Sequence, residues 1–336
     1  MTDLPFVSII VPCYNEEATI HKLLGALFAQ TYPRKTMEVV ISDGFSTDKT
    51  REVIAAFQQG HQELSVRVVD NTAMTIPSGL NHAIRESRGE IIVRLDAHSM
   101  PIPEYVERCV AAHQLGKGDN VGGVWDIQPG AQTQMAEAIS FAAAHLLGAG
   151  DALYRVGAKE GAVDTVPFGS FRRELVERIG MFDETLLANE DYEFNTRIRE
   201  AGGTVWLDPS IRSVYFSRST LSALAAQYWR YGFWKFKMLK RYPHTLRWRQ
   251  ALPPVFVFSV LLLIVLSLWW DFSRLLLLLQ LFIYGGVLGA AGILLALRKQ
   301  KGFLLWGVPL AISTMHMSWG LGFLWSGVST FFRKHG

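Results

Sequence analysis

The feature that most constrains the fold is a set of long uncharged apolar runs near the C-terminal end of the chain. In the 336-residue sequence they extend from Leu252 to Trp270, from Leu275 to Leu297 and from Gly302 to Phe332. Each run is long enough to cross the roughly 30 Å hydrocarbon core of a bilayer as a helix. Because the residues before Ala251 lack such runs, the sequence predicts a head followed by a membrane region of about three helices.

Basic residues are concentrated beside these runs. They lie before the first run and between the second and the third, at Lys235, Lys237, Lys240, Arg241, Arg247, Arg249, Arg298, Lys299 and Lys301. By the positive-inside tendency both clusters face the cytoplasm, which predicts a multi-pass protein of the inner or plasma membrane with a cytoplasmic head. Arg333 and Lys334 would lie outside after three simple crossings, so the last run is predicted to be either one tilted helix or a re-entrant hairpin.

Charge and cysteine content exclude some classes of protein. The net charge is only +3, which gives no support to a nucleic-acid partner, and membrane lipids with anionic headgroups explain the basic clusters better. The only cysteines are Cys13 and Cys109, so we expect no disulfide framework and a reducing compartment. The N-terminus lacks a basic stretch followed by an apolar core, so no cleaved signal is expected.

Strand and helix patterns alternate through the first part of the chain. Strands are predicted at Val7 to Val11, Glu38 to Ser42, Ser65 to Val69, Glu90 to Leu95 and Val121 to Trp125. Helices are predicted at Ala18 to Gln30, Thr47 to Gln59, Pro77 to Ser87 and Pro103 to Leu115. This alternation indicates an α/β fold with a mainly parallel sheet, in which ligands bind at the carboxyl ends of the strands.

The rest of the head is predicted to contain two helices, a mobile loop and two strands, followed by a helix at the headgroup level of the membrane. These are Ala131 to Gly148, Glu190 to Arg199, Gly157 to Thr165, Val205 to Leu207, Ile211 to Phe216 and Ser219 to Arg241. The predicted domains are therefore a catalytic-type α/β head at 1–217, amphipathic interface helices at 218–250 and a transmembrane domain at 251–336.

Polar and aromatic side chains follow the first two strands. Pro12 ends the first strand, Tyr14 offers a ring against which a nucleobase can lie, and Glu16 can accept from a nucleoside N–H or a ribose hydroxyl. The alternative is an ordinary strand exit that caps the next helix. Asp43 follows the second strand, where a carboxylate is costly unless it is paired, and a base N–H would satisfy it.

Two acidic centres lie further along the chain. Asp96 ends an apolar strand and emerges where a cation that bridges two phosphates would lie. Beside it, His98 is a softer candidate ligand that favours Mn²⁺ over Mg²⁺ without excluding Mg²⁺, or else a solvated turn histidine. The second centre is Asn189-Glu190-Asp191, which can take a proton from an attacking hydroxyl or can simply be an acidic first turn favoured by the helix dipole.

In this order the motifs resemble those of the family 2 inverting glycosyltransferases, from about Phe6 to Tyr242. The resemblance implies a GT-A-like head that binds a nucleotide-diphospho-sugar and uses Mn²⁺ or Mg²⁺. It implies that Asp43 contacts the nucleobase and that Asn81 lies near the nucleotide. A polar helix residue without a ligand is the alternative for Asn81.

The same resemblance assigns the catalytic carboxylates. It implies that Asp191 is the base that deprotonates the acceptor hydroxyl and that Glu190 orients hydroxyl groups of the acceptor or the sugar. The family usually carries Asp-x-Asp where this chain has Asp96 and His98. The second acid of that motif is therefore replaced by an imidazole, which leaves the role of His98 as a ligand open.

A narrower resemblance, to the succinoglycan-type glucosyltransferases, comes from the segments Val163 to Arg173 and Gln227 to Lys235. It implies a UDP-sugar donor, commonly UDP-glucose, and a polyprenyl-linked saccharide acceptor. The residues expected near the diphosphate or the acceptor are Gly169, Ser170, Gln227, Arg230 and Tyr231. The last three resemble a Gln-x-x-Arg-Trp motif in which tyrosine replaces tryptophan, and packing at the membrane interface is their alternative explanation.

Three other functions fit parts of the pattern. A polyprenyl-phosphate monosaccharide transferase would use the lipid phosphate itself as the nucleophile and would need no strong base. A processive synthase would need more helices for an extrusion channel than one chain supplies. A non-catalytic sensor of nucleotide-sugars would have no use for both Asp96 and Asp191.

Overall fold

A computed structural model describes residues 4–150, 152–157 and 159–335 of the chain. The chain divides into two compact units, which are described separately. The first unit contains Met1–Asp126 and Gly157–Tyr215, and the second contains Ile127–Val156 and Phe216–Gly336. Residues 127–156 therefore group with the C-terminal helices rather than with the strands that precede them.

The strands of the described residues form one sheet. They are β1 (Val7–Cys13), β2 (Met37–Asp43), β3 (Ser65–Asp70), β4 (Ile91–Arg94), β5 (Met100–Pro101), β6 (Asn120–Gln128), β7 (Gly161–Ala162), β8 (Ser170–Arg172) and β9 (Val205–Phe216). Their order is β3-β2-β1-β4-β8-β6-β9-β5, with β7 paired to β9. The predicted parallel pairing is confirmed for β3, β2, β1 and β4, whereas β8 runs antiparallel to both β4 and β6, so the sheet is mixed.

The helices alternate with the strands in the first unit and dominate the second. They are α1 (Ile20–Phe28), α2 (Thr50–Gly60), α3 (Ile76–Glu86), α4 (Tyr105–Gln114), α5 (Gln134–Ala143), α6 (Leu146–Ala149), α7 (Leu153–Val156), α8 (Arg173–Ile179), α9 (Glu190–Glu200), α10 (Leu221–Leu239), α11 (Trp248–Leu266), α12 (Asp271–Lys299) and α13 (Leu304–His335). The four predicted helices of the first part are found as α1 to α4, each shorter than predicted at one end or both.

The core of the first unit explains why these elements form. Strands β2 and β4 are buried along their whole length, as expected for strands covered on both faces. Ile9 of β1 and Ile41 of β2 join Leu23 and Leu24 of α1 in one apolar cluster. Thr75 caps α3 by accepting from the backbone N–H of Ser78. The loops that leave the carboxyl ends of these strands therefore start from a buried sheet.

Four local predictions differ from the structure. The helix predicted from Ala131 to Gly148 breaks after Ala143 because His145 has an extended backbone and its Nδ1 accepts from the N–H of Leu147. The two strands predicted near the end of the head are one continuous strand, β9. The predicted loop at 157–165 contains β7, which pairs with β9, and residue 158 lies outside the described residues. Lys235, counted with the basic cluster, is buried.

In the second unit, α13 packs against α5, α10, α11 and α12. Its buried side chains include Leu304, Val308, Ile312 and Met315. The last apolar run is thus one continuous helix, so the hairpin alternative does not hold for it. The side chains of Arg333 and Lys334 lie outside the described residues.

Among the described residues, two helices are long and apolar enough to cross a membrane, Trp248–Leu266 and Asp271–Lys299. Large apolar side chains on both are exposed, among them Phe258 and Phe282, and a solvent of lipid would explain that exposure. The structure therefore gives two candidate spans where the sequence predicts about three.

Candidate active site

The carboxyl ends of the parallel strands bring the first group of predicted site residues to one edge of the sheet. Cys13 pairs in register with Asp43, and Ile10 pairs with Arg94. Tyr14 therefore follows β1, Asp43 ends β2, and Asp96 lies two residues beyond β4. This is the placement that strand–helix alternation predicts for ligand-binding residues.

Arg94, which the sequence prediction did not include, lies at the centre of the acidic residues. Its side chain is only 4% exposed, and Nη2 lies 2.9 Å from Glu190 Oε1 and 3.4 Å from Asp96 Oδ1. Its Nη1 contacts Asp191 Oδ1. One guanidinium thus joins the carboxylate after β4 to the two carboxylates that begin α9, so Asp96 and Asp191 share one site. Arg94 could have been predicted from the sequence, because a charged residue at the end of a buried strand is unusual.

The charges in this group do not cancel. Arg94 carries +1 against the −3 of Asp96, Glu190 and Asp191, which leaves −2 within a few ångströms. Burial alone would lower the pKa of the Arg94 guanidinium, but the charges of Asp96 and Glu190, together with hydrogen bonds to both carboxylates, raise that pKa. A partly buried site of net charge −2 favours a divalent cation.

The acidic group offers oxygen ligands of the kind that such a cation needs. Within the described ranges 4–150, 152–157 and 159–335, no three or more His, Cys, Asp or Glu side chains group closely enough to hold a metal by themselves. Mg²⁺ and Mn²⁺ in nucleotide sites are commonly held by one or two carboxylates, with substrate phosphates completing the shell. The side chain of Asp96 is 27% exposed and bonded only weakly to Arg94, so the residues fit a cation that arrives with a diphosphate.

His98 is paired with a residue that the sequence assigned to the nucleotide. Its Nδ1 lies 2.9 Å from Glu16 Oε1, and the hydroxyl of Thr19 bonds the other oxygen of Glu16. A carboxylate that bonds one ring nitrogen of histidine fixes the orientation of the ring, an arrangement common behind metal ligands. Glu16 therefore has a second possible role, to orient His98.

The glutamate and aspartate of α9 differ in exposure. The side chain of Asp191 is 31% exposed, whereas that of Glu190 is 10% exposed and bonded to Arg94. Asn189, just before the helix, has a left-handed backbone with φ of 65° and makes no capping bond with its side chain. Asp191 is therefore the more accessible of the two carboxylates.

The carboxylate of Asp43 is already paired within the protein, so the argument that it needs a nucleobase N–H as a partner is wrong. Its carboxylate accepts from Arg51 Nε at 2.6 Å, from Ser46 Oγ at 2.5 Å and from the backbone of Ser46 at 3.1 Å. Arg51 also bonds Asp70 at 2.5 Å. The carboxylate therefore does not need a nucleobase to offset its burial, and its assignment to the nucleotide stays a prediction.

Exposed apolar side chains cluster beside Asp43. Gly44 lies between Met74 and Tyr14, and an added Cβ would meet an atom of each at 3.5 Å. Tyr14, Phe45 and Met74 are all exposed. Phe45 and Met74 have φ of 58° and 53°, a left-handed conformation that is uncommon for such residues and is often found at binding sites. These side chains suit the face of a planar base; the sequence prediction missed Phe45 and Met74 because loop residues carry no periodic pattern.

Two predicted site residues are built into the core. Asn81 is buried; its Nδ2 donates to the carbonyl of Phe182 at 2.9 Å and its Oδ1 accepts from the backbone of the same residue. Ser170 is also buried, and its hydroxyl donates to the carbonyl of Val121 at 3.0 Å. These contacts favour the structural alternative for Asn81 and place the Ser170 hydroxyl away from solvent.

Gly169 and the membrane-side motif complete the predicted set. The carbonyl of Gly169 accepts from the N–H of Arg94 at 3.0 Å, so this glycine lies beside the acidic group. In the second unit, Gln227 Nε2 donates to Tyr231 Oη at 3.0 Å, while Arg230 is exposed on the same helix. Gly169 thus lies in the first unit, whereas Gln227, Arg230 and Tyr231 lie on α10 of the second unit.

Comparisons with known proteins agree with this architecture. The family model described as Glycosyl transferase family 2 matches residues 8–180. The succinoglycan biosynthesis protein ExoA of Rhizobium meliloti (strain 1021) is 29% identical over an alignment of 338 positions, which covers 97% of this chain and 96% of the relative. A dolichyl N-acetyl-alpha-D-glucosaminyl phosphate 3-beta-D-2,3-diacetamido-2,3-dideoxy-beta-D-glucuronosyltransferase of Methanococcus voltae is 28% identical over 270 residues, 78% of this chain and 82% of the relative.

A solved structure shares the fold. The mannosyltransferase PcManGT from Pyrobaculum calidifontis, in complex with GDP-Man and Mn²⁺, matches with a TM-score of 0.66 at 22% identity, over 96% of this chain and 88% of that one. The predicted GT-A-like architecture is thereby confirmed.

Proposed function

Because this chain belongs to glycosyltransferase family 2, we propose that it is a membrane-anchored inverting enzyme that moves a hexose to a lipid-linked saccharide. The proposed donor is a nucleotide-diphospho-sugar, UDP-glucose, and the proposed acceptor carries a polyprenyl chain. Similarity to ExoA along nearly the whole chain supports a role in exopolysaccharide or other cell-surface glycan synthesis. The dolichyl-linked substrate in the name of the Methanococcus voltae relative supports a lipid-linked acceptor.

The proposed reaction is a direct displacement with Asp191 as the base. The acceptor hydroxyl oxygen attacks the anomeric carbon while Asp191 takes the hydroxyl proton. The bond from that carbon to the diphosphate oxygen breaks, its electron pair leaves with the nucleoside diphosphate, and the configuration inverts. Glu190 orients sugar or acceptor hydroxyls from its bonded position on Arg94.

Asp96, together with His98 held by Glu16, would hold a divalent cation on the departing diphosphate. Such a cation, Mn²⁺ or Mg²⁺, would neutralise negative charge that builds up on the leaving group. Tyr14, Phe45 and Asp43 would contact the nucleobase. The net charge of −2 around Arg94 supports the cation.

The convergence of Asp96 and Asp191 on one guanidinium is the observation that carries the proposal. An inverting transfer needs one group on the leaving diphosphate and another on the attacking hydroxyl, with a single sugar between them. Two carboxylates that both touch Arg94 are close enough for that arrangement.

The proposed arrangement in the membrane follows from the sequence and the two candidate spans. Residues 1–217 would form a cytoplasmic catalytic domain, 218–250 interface helices and 251–336 a transmembrane domain of the inner or plasma membrane. Helices α11 and α12 would cross the bilayer, with α13 as a third span packed among them. Gln227, Arg230 and Tyr231 would face the acceptor or diphosphate from the interface helices.

A radiolabelled nucleotide-sugar screen tests the proposal. Membranes containing the full chain are mixed with labelled UDP-glucose and other nucleotide-sugars, with and without Mn²⁺, and with either a lipid-linked saccharide or bare polyprenyl phosphate. We expect label in the lipid-linked saccharide, dependent on the cation, with an inverted anomeric configuration by NMR. Label on bare polyprenyl phosphate would support the monosaccharide transferase instead, and no transfer to either acceptor would contradict both.

A further inference from the structure

Arg94 holds the acidic residues together and has no part in the proposed chemistry. We propose that Arg94 is the positioning residue that fixes the first turn of α9, and with it the base Asp191, against the strand end that carries Asp96. This inference rests on the proposed function, because it concerns the geometry between the diphosphate side and the acceptor side of that site.

The backbone of Arg94 provides a fixed origin. Arg94 is the last residue of β4 and pairs with Ile10 of β1 on one side. On the other side its N–H donates to the carbonyl of Gly169, just before β8, at 3.0 Å. The guanidinium therefore extends from the middle of the sheet, where neighbouring strands leave the backbone little freedom.

The two ends of the guanidinium reach different partners. Nη1 contacts Asp191, while Nη2 lies 2.9 Å from Glu190 Oε1 and 3.4 Å from Asp96 Oδ1. A planar fork can hold two carboxylates at a fixed angle, whereas the single ammonium of a lysine cannot. The choice of arginine thus sets the relative orientation of adjacent residues at the start of α9.

The burial of Arg94 shows that its contacts matter. The side chain is 4% exposed, and a charge removed from water to that extent persists only when opposite charges and hydrogen bonds offset the desolvation. The ring of Phe182 also lies 5.9 Å from the guanidinium carbon. An apolar residue would fill this place without that desolvation, so an arginine at this position points to a role in geometry.

The expected consequence is a loss of rate rather than of donor affinity. A displacement of a reacting group by about 1 Å can lower a rate about 100-fold, even when the mutation lies away from the chemistry. Without Arg94 the first turn of α9 would lose its charged link to the sheet, while Tyr14 and Phe45, the proposed base-binding side chains, would be unchanged.

The test compares Arg94→Met and Arg94→Lys with Arg173→Met in the full chain. Arg173 is a matched control because its guanidinium is held by carbonyl oxygens of Gly89 and Ser87, at 2.9 Å each. Each purified protein is assayed for kcat and donor KM. Hydrogen exchange of 186–195 is followed by mass spectrometry, which needs no activity.

We expect Arg94→Met to lower kcat about 100-fold with donor KM within about threefold of wild type, and to raise exchange at 186–195. Arg94→Lys, which keeps the charge and guards against misfolding, is expected to recover part of the rate. Arg173→Met is expected to change neither kcat per folded enzyme nor exchange at 186–195.

A kcat for Arg94→Met equal to that of Arg173→Met would overturn the inference and leave the proposed function intact. So would a loss confined to donor KM. If the wild-type chain transfers no sugar from any donor, the proposed function fails; unchanged exchange at 186–195 would then overturn the role of Arg94 as well, and raised exchange would support it.

Discussion

The two arginine clusters at the edge of the sheet use the same chemistry in different surroundings. Arg51 joins Asp43 to Asp70, but its side chain is 43% exposed and that of Asp70 is 57% exposed. Arg94 is 4% exposed and contacts three carboxylates. Ion pairs in water contribute little, whereas buried ones impose large penalties when one partner is lost. We therefore expect mutations around Arg94 to affect activity and stability more than a mutation of the exposed Asp70.

The largest expected effect is the loss of the base. Asp191→Asn should lower transfer about 10³-fold, within the range that general bases contribute, because an amide cannot take the acceptor proton. Nucleotide binding, measured by calorimetry with UDP and Mn²⁺, should stay near the wild-type value. Asp70→Asn, on the Arg51 side, is the matched control and should transfer sugar at nearly the normal rate. Residual turnover of Asp191→Asn equal to that of the control would remove Asp191 from the role of base.

The buried His113 of α4, which bonds the backbone of Ser170 in β8, predicts acid sensitivity. Burial, helped by the charge of Arg172 and opposed by that of Asp119 and by a bond to the Ser170 carbonyl, lowers the pKa of His113 from 6.5 to about 4. The unfolded chain then binds more protons between these two pH values, so folding stability is lost as pH falls from about 6.5 to about 4, by about 3 kcal/mol at most.

Thermal unfolding of the full chain in detergent between pH 4 and 7.5 measures this loss. His113→Gln is the control, because it removes the titrating ring while keeping a polar side chain. The pH dependence of its melting temperature should be smaller over that window. An identical dependence in wild type and variant would assign the acid sensitivity to other groups.

Glycine substitutions compare the backbones of the two clusters. A Cβ at Gly169 would lie 2.1 Å from Asn120 Oδ1, whereas one at Gly44, near Asp43, would meet only ordinary contacts of 3.5 Å. Asn120 is buried and bonded to Asn195, so it cannot move away freely. We expect Gly169→Ala to cost about 1–3 kcal/mol of folding free energy and Gly44→Ala less than about 0.5 kcal/mol, by denaturant unfolding. Equal losses of folding free energy in the two variants would show that the Asn120 side chain moves aside at little cost.

The sequence predicts which residues lie at the strand ends better than it predicts which side chains contact one another in the site. Strand–helix alternation places Tyr14, Asp43 and Asp96 at one edge of the sheet because parallel strands end together, and that follows from local patterns. The resemblance to family 2 adds Asp191, which no local pattern links to Asp96. Asp96 and Asp191 lie close together because β8 pairs with β4 and the first residues of α9 contact Arg94. The hydrophobic periodicity of the sequence does not predict such long-range contacts.

Polar residues are where residue-level prediction is weakest. Asn81 and Ser170 are equally suited to bind a ligand or to close a core hydrogen bond, and the structure uses both in the core. Arg94 could have been found, since a charge at the end of the apolar segment Ile91 to Val93 requires a buried partner. Two of its three partners, Glu190 and Asp191, could not, because they are 96 and 97 residues away along the chain.

The smallest expected effect is on the exposed half of the Arg51 cluster. Asp70→Asn removes the carboxylate that bonds Arg51 at 2.5 Å, but both side chains are exposed, so the free energy of unfolding should fall by less than about 1 kcal/mol. Because salt screens exposed pairs, the difference from wild type should shrink between low salt and about 1 M NaCl. Denaturant unfolding at both salt concentrations measures it. A salt-insensitive loss as large as that of Arg94→Met would show that exposure does not separate the two clusters, and the contrast between them would fail.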